Sequence, residues 1–174
     1  MAHLPYADLN RDDVKPLVAR IVAERGGVLH LYQMLLHSPP LAEGWLGFMT
    51  AVRQKLDLSG ALRELVIMRV AQLNGAPYEA DQHAPIALAE GVAREQLAAL
   101  GDWRAAAFFD AEQRAVLELC DTMTRDIHVP ATMIAAVRTH LGERRTVELV
   151  ATIASYNMVT RFLEALQIHS ADWR

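Results

Sequence analysis

Apolar residues recur along most of the chain at spacings of three and four, which is the period of one face of an α-helix. Strict alternation of apolar and polar residues, the pattern of a half-buried strand, is missing, and so are hairpin turns between such runs. The pattern therefore predicts an all-α protein. Short connections between the predicted helices favour antiparallel neighbours in a multi-helix bundle.

Residues that start or stop helices divide this pattern into segments. Ser38 before Pro39, Ser59, and Asp110 with Gln113 three residues later are typical N-terminal caps. Glycines stand where several of the segments end, as left-handed C-terminal caps require. The predicted helices cover residues 12–25, 28–37, 39–56, 60–73, 77–90, 110–125, 130–142 and 143–168.

Two parts of the chain resemble each other. The sequence AVRQKL at residues 51–56 is matched by AVRTHL at residues 136–141. After a short break, each is followed by a helix that carries Glu-Leu-Val, beginning at Glu64 in the first copy and at Glu148 in the second. The bundle is therefore predicted to contain an internal repeat of helix pairs.

Glu79 and His83 are polar residues that occur in the first copy only. On the same offset they correspond to Leu163 and Gln167, so packing is a weaker explanation for them. Four residues apart on a helix, their side chains meet, and a carboxylate beside an imidazole is the usual arrangement of a general base. Glu64 would face this pair if its helix packs antiparallel to theirs. The alternative is a solvated helix face or a hydrogen bond between helices.

Length and charge narrow the possible functions. A chain of 174 residues, 52% of them hydrophobic, can bury one sizeable core, so we expect a single domain over residues 1–174. A net charge of −4 gives no field that would attract nucleic acid or an anionic membrane. We expect neither partner, no transmembrane segment and no signal peptide. A lone cysteine, Cys120, fits a cytoplasmic protein.

The run LRELVIMRVAQLNGAPYEADQHAPIALAEGV, residues 62–92, resembles the signature segment of the carboxymuconolactone decarboxylase family, within the alkylhydroperoxidase-D-like superfamily. The flanking GGVLHLYQMLLHSPPLAEGW and YNMVTRFLEAL also resemble members of it, so the resemblance covers nearly the whole chain. It implies an alkylhydroperoxidase-D-like fold and a homo-oligomer, a trimer or hexamer, with the site near a subunit interface.

Peroxidase members of that superfamily carry a glutamate, a Cys-x-x-Cys pair and a histidine, with the cysteines as redox centre and the other two as proton relay. Glu64 and His83 match the relay, whereas Ala76 and Glu79 occupy the cysteine positions. Dithiol peroxide reduction needs a thiolate and a resolving thiol, so that mechanism is excluded at this site. Cys120 lies among apolar residues of another predicted helix, where we expect a buried, inert thiol.

The decarboxylase branch also lacks the cysteine pair and, as the resemblance implies, acts without a cofactor by acid/base chemistry on a small lactone acid. We hypothesise an enzyme of this carboxy-lyase type that transfers a proton at a carbon next to a carbonyl. His83 is the acid or base, Glu79 orients it, and Glu64 is a second proton carrier. The expected partner is a small carboxylic acid or lactone.

Several residues are candidates to hold the substrate. Arginine is the natural clamp for a carboxylate, and Arg63 and Arg69 are two candidates. Further candidate substrate-binding residues are Tyr78, Tyr156, Asn157 and Arg161. The alternative for the residues of the last helix is ordinary packing, with Arg161 paired to Glu148 or Glu164.

Other functions stay open. A member that binds a small ligand without turnover is the main alternative, and antioxidant activity is disfavoured by the missing cysteine pair. We expect no metal site, because Glu79, Asp81 and His83 lack the His-Glu-x-x-His or Glu-x-x-His spacing. His30 and His37 are seven residues apart, which is simple helix periodicity, so we expect structural roles for both.

Overall fold

The computed structural model describes residues 1–173 and consists of helices joined by short turns. No strand is present within these residues, so the prediction of an all-α fold is confirmed. Short 3-10 turns lie at Leu100–Asp102 and Ser170–Trp173. The α-helices are α1 (Lys15–Arg25), α2 (His30–Leu35), α3 (Pro39–Gln54), α4 (Gly60–Leu73), α5 (Pro77–Ala89), α6 (Arg94–Ala99), α7 (Ala111–Arg125) and α8 (Ala131–Leu166).

The first of two compact units contains the residues through Lys55 and the segment that starts at Leu163. In this unit α3 packs against both α1 and α2. His30 is buried, stacks on Tyr6 with ring centroids 4.8 Å apart, and places its Nδ1 3.1 Å from the carbonyl oxygen of His169. These contacts give His30 a structural role, as predicted from the sequence.

The second unit, Leu56–Phe162, is built around α4, which packs against α5 and α7. The apolar residues that follow the helical period of α4 are buried, among them Leu65, Val66 and Val70. Side chains from α4, α5, α7 and the segment around α6 form one apolar cluster. Its buried members are Leu65, Ala87, Val92, Leu100, Trp103, Phe109 and Leu117. This cluster fixes α4 and α5 beside each other.

The predicted caps are present at several helix ends. The Ser59 hydroxyl accepts a hydrogen bond from the backbone N–H of Leu62, and the Asp110 carboxylate accepts one from that of Gln113. Gly91 follows α5 with a φ of 99°, a left-handed conformation that favours glycine. The prediction that residues 110 to 113 form a capping box is therefore confirmed.

Some helix ends differ from their predicted positions. α1 begins at Lys15 rather than near residue 12, because residues 12–14 form a turn before it. α2 is shorter at both ends than the predicted segment 28–37, since Leu29 has an extended backbone. α6 is not predicted by the sequence pattern, because six residues contain too few turns to show a helical period.

The two copies of the repeat both contain a helix, a break and a second helix. In the first copy the break separates α3 from α4 at residues 55–59. In the second copy it lies within α8 at Gly142, whose φ of 73° and ψ of 176° are not helical. A β-carbon is strained at that φ, so glycine suits the position. The predicted stop at Gly142 is confirmed.

None of the helices in residues 1–173 combines the length and the apolar character needed to cross a membrane.

Candidate acid/base site

The tight turn between α4 and α5 brings polar side chains of the two helices together. α4 ends at Leu73, Gly75 has a left-handed φ of 62°, and α5 begins at Pro77. Proline suits the first helical position because its missing N–H has no partner there in any helix. Glu64 on α4 thereby faces Glu79 and His83 on α5.

His83 lies between two carboxylates, one at each ring nitrogen. Its Nδ1 is 2.6 Å from Oε2 of Glu64, and its Nε2 is 3.2 Å from Oε1 of Glu79. The shorter contact comes from the neighbouring helix and not from the residue four positions earlier on α5. With Glu64 ionised, Nδ1 carries a proton and donates a hydrogen bond to the Glu64 carboxylate, which fixes the orientation of the ring.

All three side chains are buried in this chain. Taken as whole residues, Glu64 is 0% exposed, and Glu79 and His83 are each 4% exposed. A buried charge is stable only when it is paired, so two carboxylates around one imidazole favour the imidazolium form. Glu79 lies in the first turn of α5, where the helix dipole also stabilises a negative charge.

The contacts around His83 change its acid/base properties. Burial alone would lower the pKa of His83, but hydrogen bonding and charge interactions with Glu64 and Glu79 hold it above the ordinary value of 6.5. Burial would likewise raise the pKa of Glu64, but its contacts with His83 and Arg63 hold it below the ordinary value of 4.5. Both shifts favour the charged forms, an imidazolium at His83 and a carboxylate at Glu64.

Tyr156 completes the surroundings of the imidazole. It lies on α8, is 1% exposed, and meets the His83 ring edge to face with centroids 5.2 Å apart and an angle of 89°. This geometry is a favourable one for aromatic rings. Tyr156 thus restricts the position of His83 on the side that the carboxylates leave open.

The other predicted substrate-binding residues have different surroundings. Tyr78 is buried in α5 directly before Glu79. Asn157 uses its amide to join three parts of the unit: it donates to Thr124 on α7 and accepts from Asn74 in the turn before α5. It also donates to the backbone of α8 and accepts from Arg161. All four hydrogen-bonding positions of the Asn157 amide are occupied, which indicates a structural link.

The three candidate arginines differ in what they bind. Arg69 is buried and forms a two-pronged ion pair with Asp121, at 2.6 and 2.8 Å, so the suggestion that it clamps a substrate is wrong. Arg63 bonds to Glu64 at 3.0 Å. Arg161 is exposed and donates to Asn157, not to Glu148 or Glu164 as the packing alternative supposed.

The positions that hold cysteines in peroxidase members lie at the start of α5. Ala76 is the N-cap of this helix and Glu79 its third residue, so no thiol is present at either position. Cys120 is buried on α7, and burial raises the pKa of its thiol far above the ordinary value. A thiol in that state is not a nucleophile, as expected from its apolar surroundings.

The site does not have the form of a metal centre. The two carboxylates lie at opposite ring nitrogens of His83 and do not converge on one point. Among residues 1–173 no group of three or more acidic, histidine or cysteine side chains is arranged to hold a metal ion.

Comparison with known proteins agrees with this fold. Residues 39–122 match the model of the carboxymuconolactone decarboxylase family. Over 118 residues the chain is 30% identical to the uncharacterized protein YdfG of Bacillus subtilis. The matched residues cover 67% of this chain and 80% of YdfG. The chain belongs to the carboxymuconolactone decarboxylase family. The matched segment contains α4, α5, most of α7 and the cluster of Glu64, Glu79 and His83.

Solved structures show the same fold at low sequence identity. An uncharacterized peroxidase-related protein from Ralstonia eutropha with an alkylhydroperoxidase AhpD core is 18% identical, with a TM-score of 0.82 over 99% of this chain and 93% of that one. The debrominase Bmp8, in complex with 2,3,4-tribromopyrrole, is also 18% identical, with a TM-score of 0.78 over 96% and 92% of the two chains. These likenesses show that the chain has this fold, and the fold alone does not determine its chemistry.

One part of the site could not be predicted from the sequence. Arg63 bridges Glu64 to Glu90, which lies at the C-terminal end of α5. The sequence showed Arg63 only as a possible clamp and Glu90 only as a helix end. Since the two residues are 27 positions apart, only the antiparallel packing of α4 and α5 reveals the contact.

Proposed function

We propose that this protein is a cofactor-independent enzyme that transfers a proton at a carbon next to a carbonyl, in the decarboxylation or isomerisation of a small lactone or keto acid. The observation that supports it most directly is the burial of His83 between Glu64 and Glu79. Clusters of buried titratable groups with shifted pKa values are typical of acid/base sites.

The distances support a separate role for each group in this proposal. Glu64, with the shorter contact, is the orienting carboxylate, a role that spacing alone had given to Glu79. The Nε2 of His83 is the nitrogen that exchanges a proton with substrate, because its 3.2 Å contact is the weaker one. Glu79, at that nitrogen, accepts or returns the proton between turnovers.

Decarboxylation then follows a simple course. The bond between the α-carbon and the carboxylate breaks, carbon dioxide leaves, and the electron pair passes to the neighbouring carbonyl to form an enolate. The imidazolium of His83 donates its Nε2 proton to the α-carbon, and the enolate returns to the carbonyl form. Stabilising the enolate and supplying this proton are the two contributions asked of the site.

Arg161 is the remaining candidate to hold the substrate carboxylate. Arg63 and Arg69 are both occupied by carboxylates, whereas Arg161 is exposed and its hydrogen bonds are to uncharged oxygens of Asn157. A guanidinium without a bound carboxylate can form the two-pronged contact that a substrate acid offers. The proposal assigns it that role, and keeps the expectation of a trimer or hexamer with the site near an interface.

The test is proton exchange and carbon dioxide release with a panel of small lactone and keto acids in D₂O. Wild-type protein should accelerate deuterium incorporation next to the carbonyl, and His83→Gln should lose the activity while remaining folded. Glu148→Gln is the control outside the site, because Glu148 is the residue of the second copy that corresponds to Glu64. It should keep the activity of the wild type. Equal activity in the His83 variant and the wild type would contradict the proposal.

A second candidate is a member that binds a small ligand without turnover. It is favoured by one observation: both ring nitrogens of His83 already face carboxylates of the same chain. For such a protein, ligand affinity would not change between pH 5 and 8. The enzyme, in contrast, should bind an acidic ligand with an affinity that follows the protonation of His83.

A further inference from the structure

Arg63 connects the buried site to the surface of the protein. Its Nε lies 3.0 Å from Oε1 of Glu64, and one of its terminal nitrogens lies 2.9 Å from Oε1 of Glu90. The side chains of Glu64, Arg63 and Glu90 are 1%, 13% and 41% exposed, respectively. Side-chain exposure therefore increases in steps from Glu64 outward to Glu90.

The five side chains alternate in charge along this path. We name them the charge chain, which consists of Glu90, Arg63, Glu64, His83 and Glu79. The start of α4 supplies Arg63 and Glu64, and the end of α5 supplies Glu90. Antiparallel helices bring these two ends together, just as they bring Glu64 to His83.

Gly60, at the start of α4, leaves the space that the Glu90 carboxylate occupies. A β-carbon added at this position would lie 1.7 Å from Oε2 of Glu90. The atom that would have to move is the end of a flexible side chain, so the helix itself need not change. Alanine at position 60 would displace Glu90 from Arg63 without altering any charged residue.

We propose that Arg63 and Glu90 are positioning residues that set how tightly His83 holds its proton, acting through Glu64. The inference extends the proposed acid/base function, because it describes the regulation of the same site. Neither residue contacts His83. Arg63 acts through Glu64, and Glu90 acts through Arg63.

The two residues should have opposite effects. Arg63 is a cation beside Glu64, so removing its charge leaves the carboxylate free to interact more strongly with the imidazolium, and the pKa of His83 rises. Glu90 offsets the charge of Arg63, so removing Glu90 strengthens the hold of Arg63 on Glu64 and the pKa of His83 falls. A merely structural salt bridge would not produce shifts of opposite sign.

Other groups around His83 stay the same in these variants. The ring is faced by Glu64 from α4, by Glu79 from α5 and by the Tyr156 ring from α8. Of these three groups, Glu64 is the one in contact with Arg63. Glu64 is therefore the contact that links the charge of Arg63 to the imidazole.

The experiment is the titration of His83 by NMR in the full chain, with its resonances assigned from the spectrum of His83→Gln. Arg63→Gln should raise the pKa on the order of one unit. Arg63→Lys, which keeps the charge, should restore a value close to wild type. Glu90→Gln and Gly60→Ala should both lower it by about 0.3 unit, since Glu90 is partly screened by water.

Glu118→Gln is the matched control for Glu90→Gln. Glu118 forms a similar surface ion pair with Arg104, at 2.8 Å and 43% exposed, outside the charge chain. Its replacement should leave the titration of His83 unchanged. Shifts of the same sign in Arg63→Gln and Glu90→Gln, or no shift in either, would overturn the inference.

This outcome is distinct from failure of the proposed function. If wild-type protein shows no turnover but the signed shifts are present, the charge chain exists and the enzyme proposal fails. If turnover is present without the shifts, the enzyme proposal holds and the inference fails. When both hold, the pH profile of kcat/KM should move in the same directions as the pKa of His83.

Discussion

The two copies of the internal repeat use the same glutamate for different purposes. Glu64 is 0% exposed and bonds to the His83 imidazole, whereas Glu148 is 9% exposed and accepts a hydrogen bond from the backbone N–H of Leu58 at 2.9 Å. Glu148 also pairs with Arg144, one turn earlier on α8. The Glu-Leu-Val segment of the first copy therefore supports a buried cluster of carboxylates and an imidazole, whereas that of the second copy binds the break between α3 and α4 at Leu58.

The two copies differ at the positions that correspond to Glu79 and His83, the residues that form the cluster with Glu64 in the first copy. Where the first copy has Glu79, the second has Leu163, which is 0% exposed and belongs to the apolar core. Where the first has His83, the second has Gln167, whose side chain bonds to the backbone carbonyl of Glu164. The helix that carries Glu148 also continues through Leu163 to Leu166, so the second copy has no counterpart of the turn between α4 and α5.

The largest expected effect comes from giving the first copy the residues of the second. The double variant Glu79→Leu, His83→Gln should lose catalytic activity by about 10²- to 10⁴-fold, the usual contribution of general acid–base catalysis. Its free energy of unfolding should fall by about 1–3 kcal/mol, because the buried Glu64 loses the imidazolium of His83 and keeps only Arg63 as a charged partner. Urea denaturation and a turnover assay measure the two quantities. Severe destabilisation would mean that the cluster is required for folding.

Replacing the same glutamate in each copy should separate the two roles. Glu64→Gln removes the nearer of the two anionic partners of His83 and should lower the free energy of unfolding by about 2–3 kcal/mol. Glu148→Gln keeps an oxygen that can accept from Leu58, so its cost should be about 1 kcal/mol or less. Equal losses in the two variants, measured by urea denaturation, would remove the distinction drawn between the copies.

The titration of His83 and Glu64, both in the first copy, should make the free energy of unfolding depend on pH. The raised pKa of His83 means that its contribution is complete below its ordinary value of 6.5 and is lost as the pH rises through the folded-state value. The lowered pKa of Glu64 means that its contribution is complete above 4.5 and is lost as the pH falls through the folded-state value.

The stabilising contribution of the pair should therefore be greatest between these two pH values. Thermal unfolding of the wild type and of the double variant across pH 4 to 9 measures this contribution as the difference between their free energies of unfolding. A difference that grows steadily above pH 7 has the wrong sign for a raised histidine pKa and would contradict this prediction.

The smallest effect on activity is expected from Cys120, which lies outside both polar sites. Cys120→Ala should leave turnover unchanged and cost about 1 kcal/mol of stability, since it removes one buried sulfur atom from the core. In the native wild type the thiol should react with a thiol reagent only as fast as the protein unfolds. Loss of activity in the alanine variant would indicate that the Cys120 thiol takes part in the reaction, which would contradict this prediction.

The sequence predicts the fold better than it predicts the site. Helices α4 and α5 follow from long apolar periods and strong end signals such as Ser59 and Gly91, which act locally. The spacing of Glu79 and His83 predicts a contact on one helix but does not determine which carboxylate binds which ring nitrogen. That depends on the packing of α4 against α5, which also brings Arg63 to Glu90.

Side chains with several possible partners were the hardest to assign. Arg69 and Arg161 are equally suitable clamps in the sequence, yet one is buried against Asp121 and the other is exposed. The partner of a buried arginine lies 52 positions away on α7, and no local pattern indicates it. Predictions that rest on helix periodicity were therefore more accurate than those that rest on long-range pairing.

The most direct test of the account is the NMR titration of His83 in wild type and in Glu79→Gln at constant salt. If the imidazole is coupled to both carboxylates, its pKa in the wild type lies above 6.5 and falls toward that value in the variant, as the loss of one buried anion requires. A value close to 6.5 in both proteins would show an uncoupled histidine and would contradict the acid/base site.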